Sequence, residues 1–311
     1  MSTPTLAPAA RPAGRRRRTV HGVTPPGYPV RALKGVVLLI CCAVVVMPFV
    51  AVISTSLAAQ PQIDAAGGYV LWPDNPNLDA YRAIFANGVV TRALAVSIGI
   101  TVVGTLLSLA CTALLAYSLS RPGSFGAKPL LLVVLFTLLF SPGMIPSYLM
   151  VKQLGLLDSY WSLILPVLIN GFNVIIVRSF FLDLPQDVLD SARIDGAGEF
   201  STFVRIVLPL SKAVLAVTGL FYAVAYWNSF FSALLYINDT AKWPMQLVLR
   251  TYVVDNASIG AQSGDITGEF LPAPQSLQMA ILVTSIVPIL VVYPFLQRHF
   301  AKGILVGAVK G

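Results

Sequence analysis

The chain has 311 residues, of which 56% are hydrophobic and only 11% charged, with a net charge of +8 and a mean hydropathy of +0.79. That composition excludes an ordinary soluble domain and points to lipid as the main solvent. Cys41, Cys42 and Cys111 all lie in apolar runs and read as buried thiols, and His21 and His299 are too few to build a metal cluster, so no metal site, disulfide frame or cofactor is expected.

Residues 1–34 are rich in Pro, Ala, Gly and Arg, with a basic run from Arg15 to Arg18. They lack apolar periodicity and are expected to form a disordered, basic cytoplasmic tail. A basic run can contact nucleic acid, but before a first span it more often sets topology or lies against anionic lipid. A cleaved signal peptide is disfavoured, because the apolar run that follows is long and no small-residue cleavage site stands out.

Six apolar runs follow, at 35–56, 93–119, 129–151, 160–177, 213–237 and 276–296, and none contains Asp, Glu, Lys or Arg. A helix needs about 20 apolar residues to cross the hydrocarbon core. The runs therefore predict an all-α membrane protein whose 35–311 region carries six transmembrane helices. Pro48, Pro142, Pro146, Pro166, Pro288 and Pro294 fall within them and are expected as kinks in a packed bundle. With the N-terminus inside, sixteen Lys and Arg lie on the inner side and five on the outer. This asymmetry places both termini and the 178–212 connection in the cytoplasm of a multi-pass cell-membrane protein.

Two outer connections, 57–92 and 238–275, are long enough to read as surfaces for an external partner, with plain solvated connectors as the alternative. In the first, Asn77 or Asp79 is placed to cap a short helix carrying Tyr81, Ile84 and Phe85.

The polar stretch between Pro185 and Leu210 stands out against its apolar flanks, and five of the thirteen acidic residues fall between Asp183 and Glu199. Pro185 suits a first helical position, and Asp187 and Asp190 sit near the positive end of the helix it opens. Val188, Leu189, Ala192 and Ala197 supply a modest apolar stripe. Gly196 and Gly198 allow a turn before a second helix starts near Thr202, with Pro209 close to its beginning. A helix-forming polar insert of this kind needs something outside the bilayer to dock onto, unless it is an ordinary amphipathic loop.

The spans lack the acidic and basic side chains that ion-driven transporters use at mid-membrane. An ion-coupled secondary transporter of a small polar solute stays open, since sodium sites can be built from carbonyls and hydroxyls. The chain carries no phosphate-binding loop and should not hydrolyse ATP, so a separate ATPase would supply the work. A membrane-embedded enzyme ranks last, for want of acid–base groups in the spans. Asn170, Asn173, Tyr222, Tyr226, Trp227 and Asn228 are the polar and aromatic residues that could line a solute path. Amides and rings of this kind suit a sugar, but they equally serve as glue between helices.

The loop resembles the cytoplasmic "EAA" loop of binding-protein-dependent ABC import permeases. Asp190, Ser191 and Ala192 stand in the Glu-Ala-Ala places, and Gly196, Ile206, Leu208 and Pro209 match the rest in identity and spacing. The segments from Tyr226 to Asp239 and Trp243 to Arg250, and the tail from Gln297 to Gly311, are similar to carbohydrate permeases of the maltose type, with oligosaccharide permeases the nearest group. The resemblance implies a type I importer permease bundle with a cytoplasmic coupling helix, the coupling loop spanning 185–210. It implies ATPase docking through Asp190, Ser191, Ala192, Asp195, Gly196, Ala197, Ile206, Leu208 and Pro209. A tail including Gly307, Val309, Lys310 and Gly311 would reach toward the ATPases. The implied partners are a second homologous permease, ABC ATPase subunits, an extracellular solute-binding protein, membrane lipid and a carbohydrate substrate, with no nucleic acid.

Overall fold

The computed structural model describes residues 28–254 and 274–308, with side chains as far as 294. The described residues are helical or irregular, and no strand occurs among them. The chain divides into two compact units, Met1–Val50 and Ala51–Gly311. Helix α1 (Tyr28–Ser56) begins in the first and carries Pro48 within it. It starts at Tyr28, so the segment from Tyr28 to Lys34, expected to belong to the tail, is helical instead. The run from Arg15 to Arg18 lies outside the described residues.

The second unit is organised by one long helix. After α2 (Gln60–Ala65) and α3 (Asp79–Ala86) comes α4 (Val89–Ser120). Its buried positions include Gly104, Ser108, Thr112, Ala116 and Ser120, one every four residues. Small side chains at that interval form a ridge-free stripe that lets neighbouring backbones approach closely, a membrane packing device. The Tyr226 ring fills the space over Gly104, so that a Cβ there would stand 2.7 Å from the ring.

The run 129–151 does not form one helix. It gives α5 (Ala127–Leu139) and α6 (Met144–Gln153), broken where Pro142 withholds an N–H and Gly143 takes φ +84°. The run 160–177 gives α7 (Trp161–Ile164), a 3₁₀ turn at Leu165–Val167 and α8 (Gly171–Leu182), the two parts bent by 52°. Asn170 marks the break by capping α8: its side chain accepts the Asn173 N–H at 3.2 Å.

The polar stretch gives α9 (Gln186–Ile194) and α10 (Glu199–Thr202), followed by a π-helical turn at Phe203–Val207 and α11 (Leu208–Leu210). The second helix thus resumes at Glu199, ahead of Thr202. A bend of 83° at Ser211 leads into α12 (Lys212–Trp227). The run 213–237 also breaks: α12 stops at Asn228 and α13 (Phe230–Tyr236) follows. Then come α14 (Met245–Val253) and α15 (Pro274–Ala308), which contains Pro288 and Pro294.

The all-α bundle is as expected, but several of the six apolar runs are broken within their length. Among the described residues three helices, α1, α4 and α15, are long and apolar enough to cross a membrane unbroken, and two bent pairs could each serve as one span. Within the second unit α4 packs along α8 and α12, and α15 packs against α3, α12 and α14.

Candidate functional site

Helix α9 follows the local chemistry of its sequence. Pro185 sits at the N-cap, one place earlier than expected, with Asp187 in the first turn and Arg193 in the last, each complementing the helix dipole. Leu189 and Ala192 are buried, whereas Val188 is 41% exposed and does not join the apolar stripe. Leu189 packs among Tyr117, Phe181, Phe203 and Val207. Asp190, Ser191, Asp195 and Gly196 are exposed. Gly196 adopts φ +79°, and the Ala197 N–H donates back to the Ala192 carbonyl at 2.9 Å. That is the Schellman ending which favours glycine. Ile206 and Leu208 are half-buried and Pro209 is exposed. Pro209 has no N–H to give to the Arg205 carbonyl, and the wider π turn precedes it.

Beside α9 lies an ionic cluster that linear spacing did not reveal. Arg193 pairs with Asp190 at 3.2 Å and with Glu199 at 3.5 Å. Glu199 also accepts the Tyr117 hydroxyl at 2.6 Å. This bond, with the Arg121 and Arg193 charges, holds the Glu199 carboxyl below its ordinary pKa.

A groove of about 620 Å³ opens between α4, α12 and α15. Thr101, Val102, Val224, Trp227, Asn228 and Tyr293 are among its lining residues. Trp227 Nε1 and Thr101 Oγ1 are buried there without a hydrogen-bond partner. The other four proposed path residues serve helix contacts. Tyr222 and Tyr226 exchange hydrogen bonds with Thr112 and Ser108 of α4, both at 2.7 Å. The Tyr222 hydroxyl also accepts the Asn170 N–H at 3.0 Å, and Asn173 is buried in α8. Two tyrosines four residues apart on α12 thus meet two hydroxyls four residues apart on α4.

At the start of α3, Asn77 accepts the Asp79 N–H at 3.2 Å from one residue before the cap, while Leu78 occupies the cap itself. In α3, Tyr81 bonds Ser56, Ile84 is buried and Phe85 is exposed. Asp158, at φ +57°, accepts the N–H groups of Asn238 at 2.6 Å and Asp239 at 2.9 Å. Those two bonds lower its pKa. Its own carbonyl accepts Lys242 Nζ at 2.9 Å. Of the proposed tail contacts, Gly307 lies in α15, while Val309, Lys310 and Gly311 fall outside the described residues.

Residues 110–306 match the family described as "Binding-protein-dependent transport system inner membrane component". The chain is 46% identical over 274 residues to the polygalacturonan/rhamnogalacturonan transport system permease protein YtcP of Bacillus subtilis, covering 88% of this chain and 96% of that one. It is 49% identical over 269 residues to protein LplC of the same organism, covering 86% and 90%. Among solved structures it is similar to a chain of a bacterial ABC transporter involved in the import of the acidic polysaccharide alginate. That match has a TM-score of 0.81 and 28% identity, and covers 89% of this chain and 100% of that one.

Proposed function

The chain belongs to the family of binding-protein-dependent transport system inner membrane components, and from that premise we propose that it is the transmembrane permease subunit of an ATP-driven importer that carries a carbohydrate, specifically an oligosaccharide, across the cell membrane. The observation that carries this reading is the similarity, along almost the whole chain, to a permease named for polysaccharide transport. An ion-coupled mechanism has no comparable support.

In this reading α9 is the coupling helix. Its exposed Asp190, Ser191 and Asp195 meet a cytoplasmic ATPase, and Gly196 and Ala197 shape the turn beside them. Ile206, Leu208 and Pro209 back the helix from the following segment. The buried Leu189 ties it to the bundle. The excess of inner Lys and Arg supports the orientation, with both termini and α9 in the cytoplasm. A second permease, a pair of ATPases and an external solute-binding protein complete the machine, the tail from Gly307 to Gly311 adding to the ATPase contact. The binding protein docks on the outer connections, where Asp158 fixes the segment from Asn238 to Lys242. Docking and hydrolysis rock the bundle between inward and outward states. Trp227 gives the solute path an aromatic face, and Trp227 Nε1 and Thr101 Oγ1 give it open hydrogen-bonding groups. Asn228, whose Nδ2 donates to the Val224 carbonyl at 2.9 Å, lies beside them, while Asn170, Asn173, Tyr222 and Tyr226 hold its walls.

The test is purification of the chain with its partners from native membranes, followed by reconstitution. Uptake of galacturonate oligomers is expected to require ATP and the binding protein, and to ignore imposed ion gradients. Uptake by the purified chain alone, driven by an ion gradient, would establish the secondary-transporter alternative.

A further inference from the structure

Glu199 joins α9 to the end of α4 through side chains. One carboxylate oxygen accepts the Tyr117 hydroxyl at 2.6 Å, and the other lies 3.5 Å from Arg193 Nη2. Arg193 in turn holds Asp190 at 3.2 Å. A continuous polar chain therefore runs from Asp190, on the exposed face of α9, through Arg193 and Glu199 to Tyr117 on α4. Arg121, which ends α4, stacks its guanidinium 4.3 Å from the Tyr117 ring centre and brings Nε to 4.0 Å from Glu199. Its Nε and Nη2 are buried and lack a hydrogen-bond partner, so the Glu199 carboxylate is the charge that offsets them.

The main chain supplies only a loose link: the Tyr117 hydroxyl also donates to the Glu199 carbonyl at 3.2 Å, but that carbonyl is joined to α9 through a turn. α9 ends at the left-handed Gly196, Gly198 follows, and no atom lies within 4 Å of a Cβ at either. A push on α9 would be taken up in that turn unless side chains bridged it. Burial of Leu189 resists separation of α9 from the bundle, but an apolar contact is non-directional and permits sliding. A charge-assisted hydrogen bond is directional and fixes both distance and angle.

We propose that Glu199 is a positioning residue for transport: by bridging Arg193 on α9 to Tyr117 and Arg121 at the end of α4, it makes the central helix of the bundle follow the movement of α9. The inference rests on the reading of α9 as the ATPase-docking helix. It assigns Glu199 no contact with ATP or with the solute.

The experiment uses the complete complex in liposomes, with E199A and Y117F compared with the unaltered chain. Y117F keeps the ring that packs against Phe181 and Phe203 and removes only the hydroxyl. Two quantities are read. One is the stimulation of ATP hydrolysis by the binding protein. The other is the distance between spin labels at V188C and S118C, both exposed sites, in a background without the three native cysteines and with and without ATP.

The ATPase subunits are expected to co-purify with every variant. Stimulation should fall about tenfold in E199A, the scale of one lost charged hydrogen bond. The label distance should keep one narrow value in both nucleotide states in the unaltered chain, and should shift or broaden with ATP in E199A and Y117F. The double variant should be only slightly worse than E199A, which keeps the 3.2 Å bond from Tyr117 to the main-chain carbonyl of residue 199. Unaltered stimulation and distance in E199A would overturn the proposal. Loss of the ATPases from E199A alone would also overturn it, because Glu199 would then act in docking. Absence of ATPases from the unaltered complex would instead refute the reading of α9 on which the proposal rests.

Discussion

Gly104→Ala tests the close packing of α4 on α12. A methyl group at that position would meet Tyr226 Cζ at 2.7 Å, Cε2 at 2.8 Å and Cε1 at 2.9 Å. Carbon atoms rest at about 3.5–4.0 Å, so the ring would have to retreat by roughly 0.8 Å. It is not free to do so, since its hydroxyl is bonded to Ser108 at 2.7 Å. Overpacking of this kind costs about 1–3 kcal/mol, and losing the Ser108 bond adds about 1 kcal/mol. Alanine regains about 0.5–1 kcal/mol of helix propensity. The net loss expected is about 1–3 kcal/mol. The assay is thermal unfolding of the detergent-solubilised chain, followed by intrinsic fluorescence, for G104A, Y226A and the double variant. G104A should be destabilising alone and close to neutral where Tyr226 is already alanine. Gly99→Ala on the same helix, with nothing within 4 Å, is the neutral control. Equal stability of G104A and the unaltered chain, or the same loss in both backgrounds, would refute the packing argument.

Four further outcomes are expected. Gly196→Val should abolish uptake while the protein still inserts, because a β-branched residue at φ +79° is strained by about 1–2 kcal/mol although the space around it is open; uptake and membrane yield measure this. Asp190→Lys places a like charge beside Arg193, 3.2 Å from the present carboxylate, and should reduce both ATPase co-purification and uptake. Because the folded Glu199 pKa lies below its ordinary 4.5, its contact is fully present above that pH and is lost as pH falls through the folded value; the thermal midpoint of E199Q should lack the extra acid-side decline of the unaltered chain. Asp158→Ala removes both the acceptor of two N–H groups and a residue type tolerant of left-handed backbone, so protease cleavage between Asn238 and Lys242 should quicken more than in Asp158→Asn.

The α9 turn was legible because its determinants are local. Asp187, Arg193 and Gly196 each act within a few residues of their own backbone, and the helix and its ending follow. The apolar runs located the membrane helices but not their interruptions. Hydropathy reports solvent preference and not chain direction, and it stays high through Pro142–Gly143, Asn170 and Asn228. Asn170 and the Pro142–Gly143 pair carried usable break signals of their own. The four-residue repeat from Gly104 to Ser120 was also visible in principle, and it would have assigned Tyr222 and Tyr226 to α4 once their own four-residue spacing was set beside it. The bridge between Tyr117 and Glu199 joins positions 82 apart and depends on how α4 crosses the start of α10, which no linear pattern encodes.

Reaction of Val188→Cys with a membrane-impermeant maleimide, in a background without Cys41, Cys42 and Cys111, bears most directly on where motive force enters. Val188 is exposed on α9. No labelling is predicted in intact cells, and strong labelling is predicted in inside-out vesicles stripped of peripheral subunits, suppressed when the ATPases are restored. Labelling of intact cells, or labelling in vesicles that ignores the ATPases, would contradict the account.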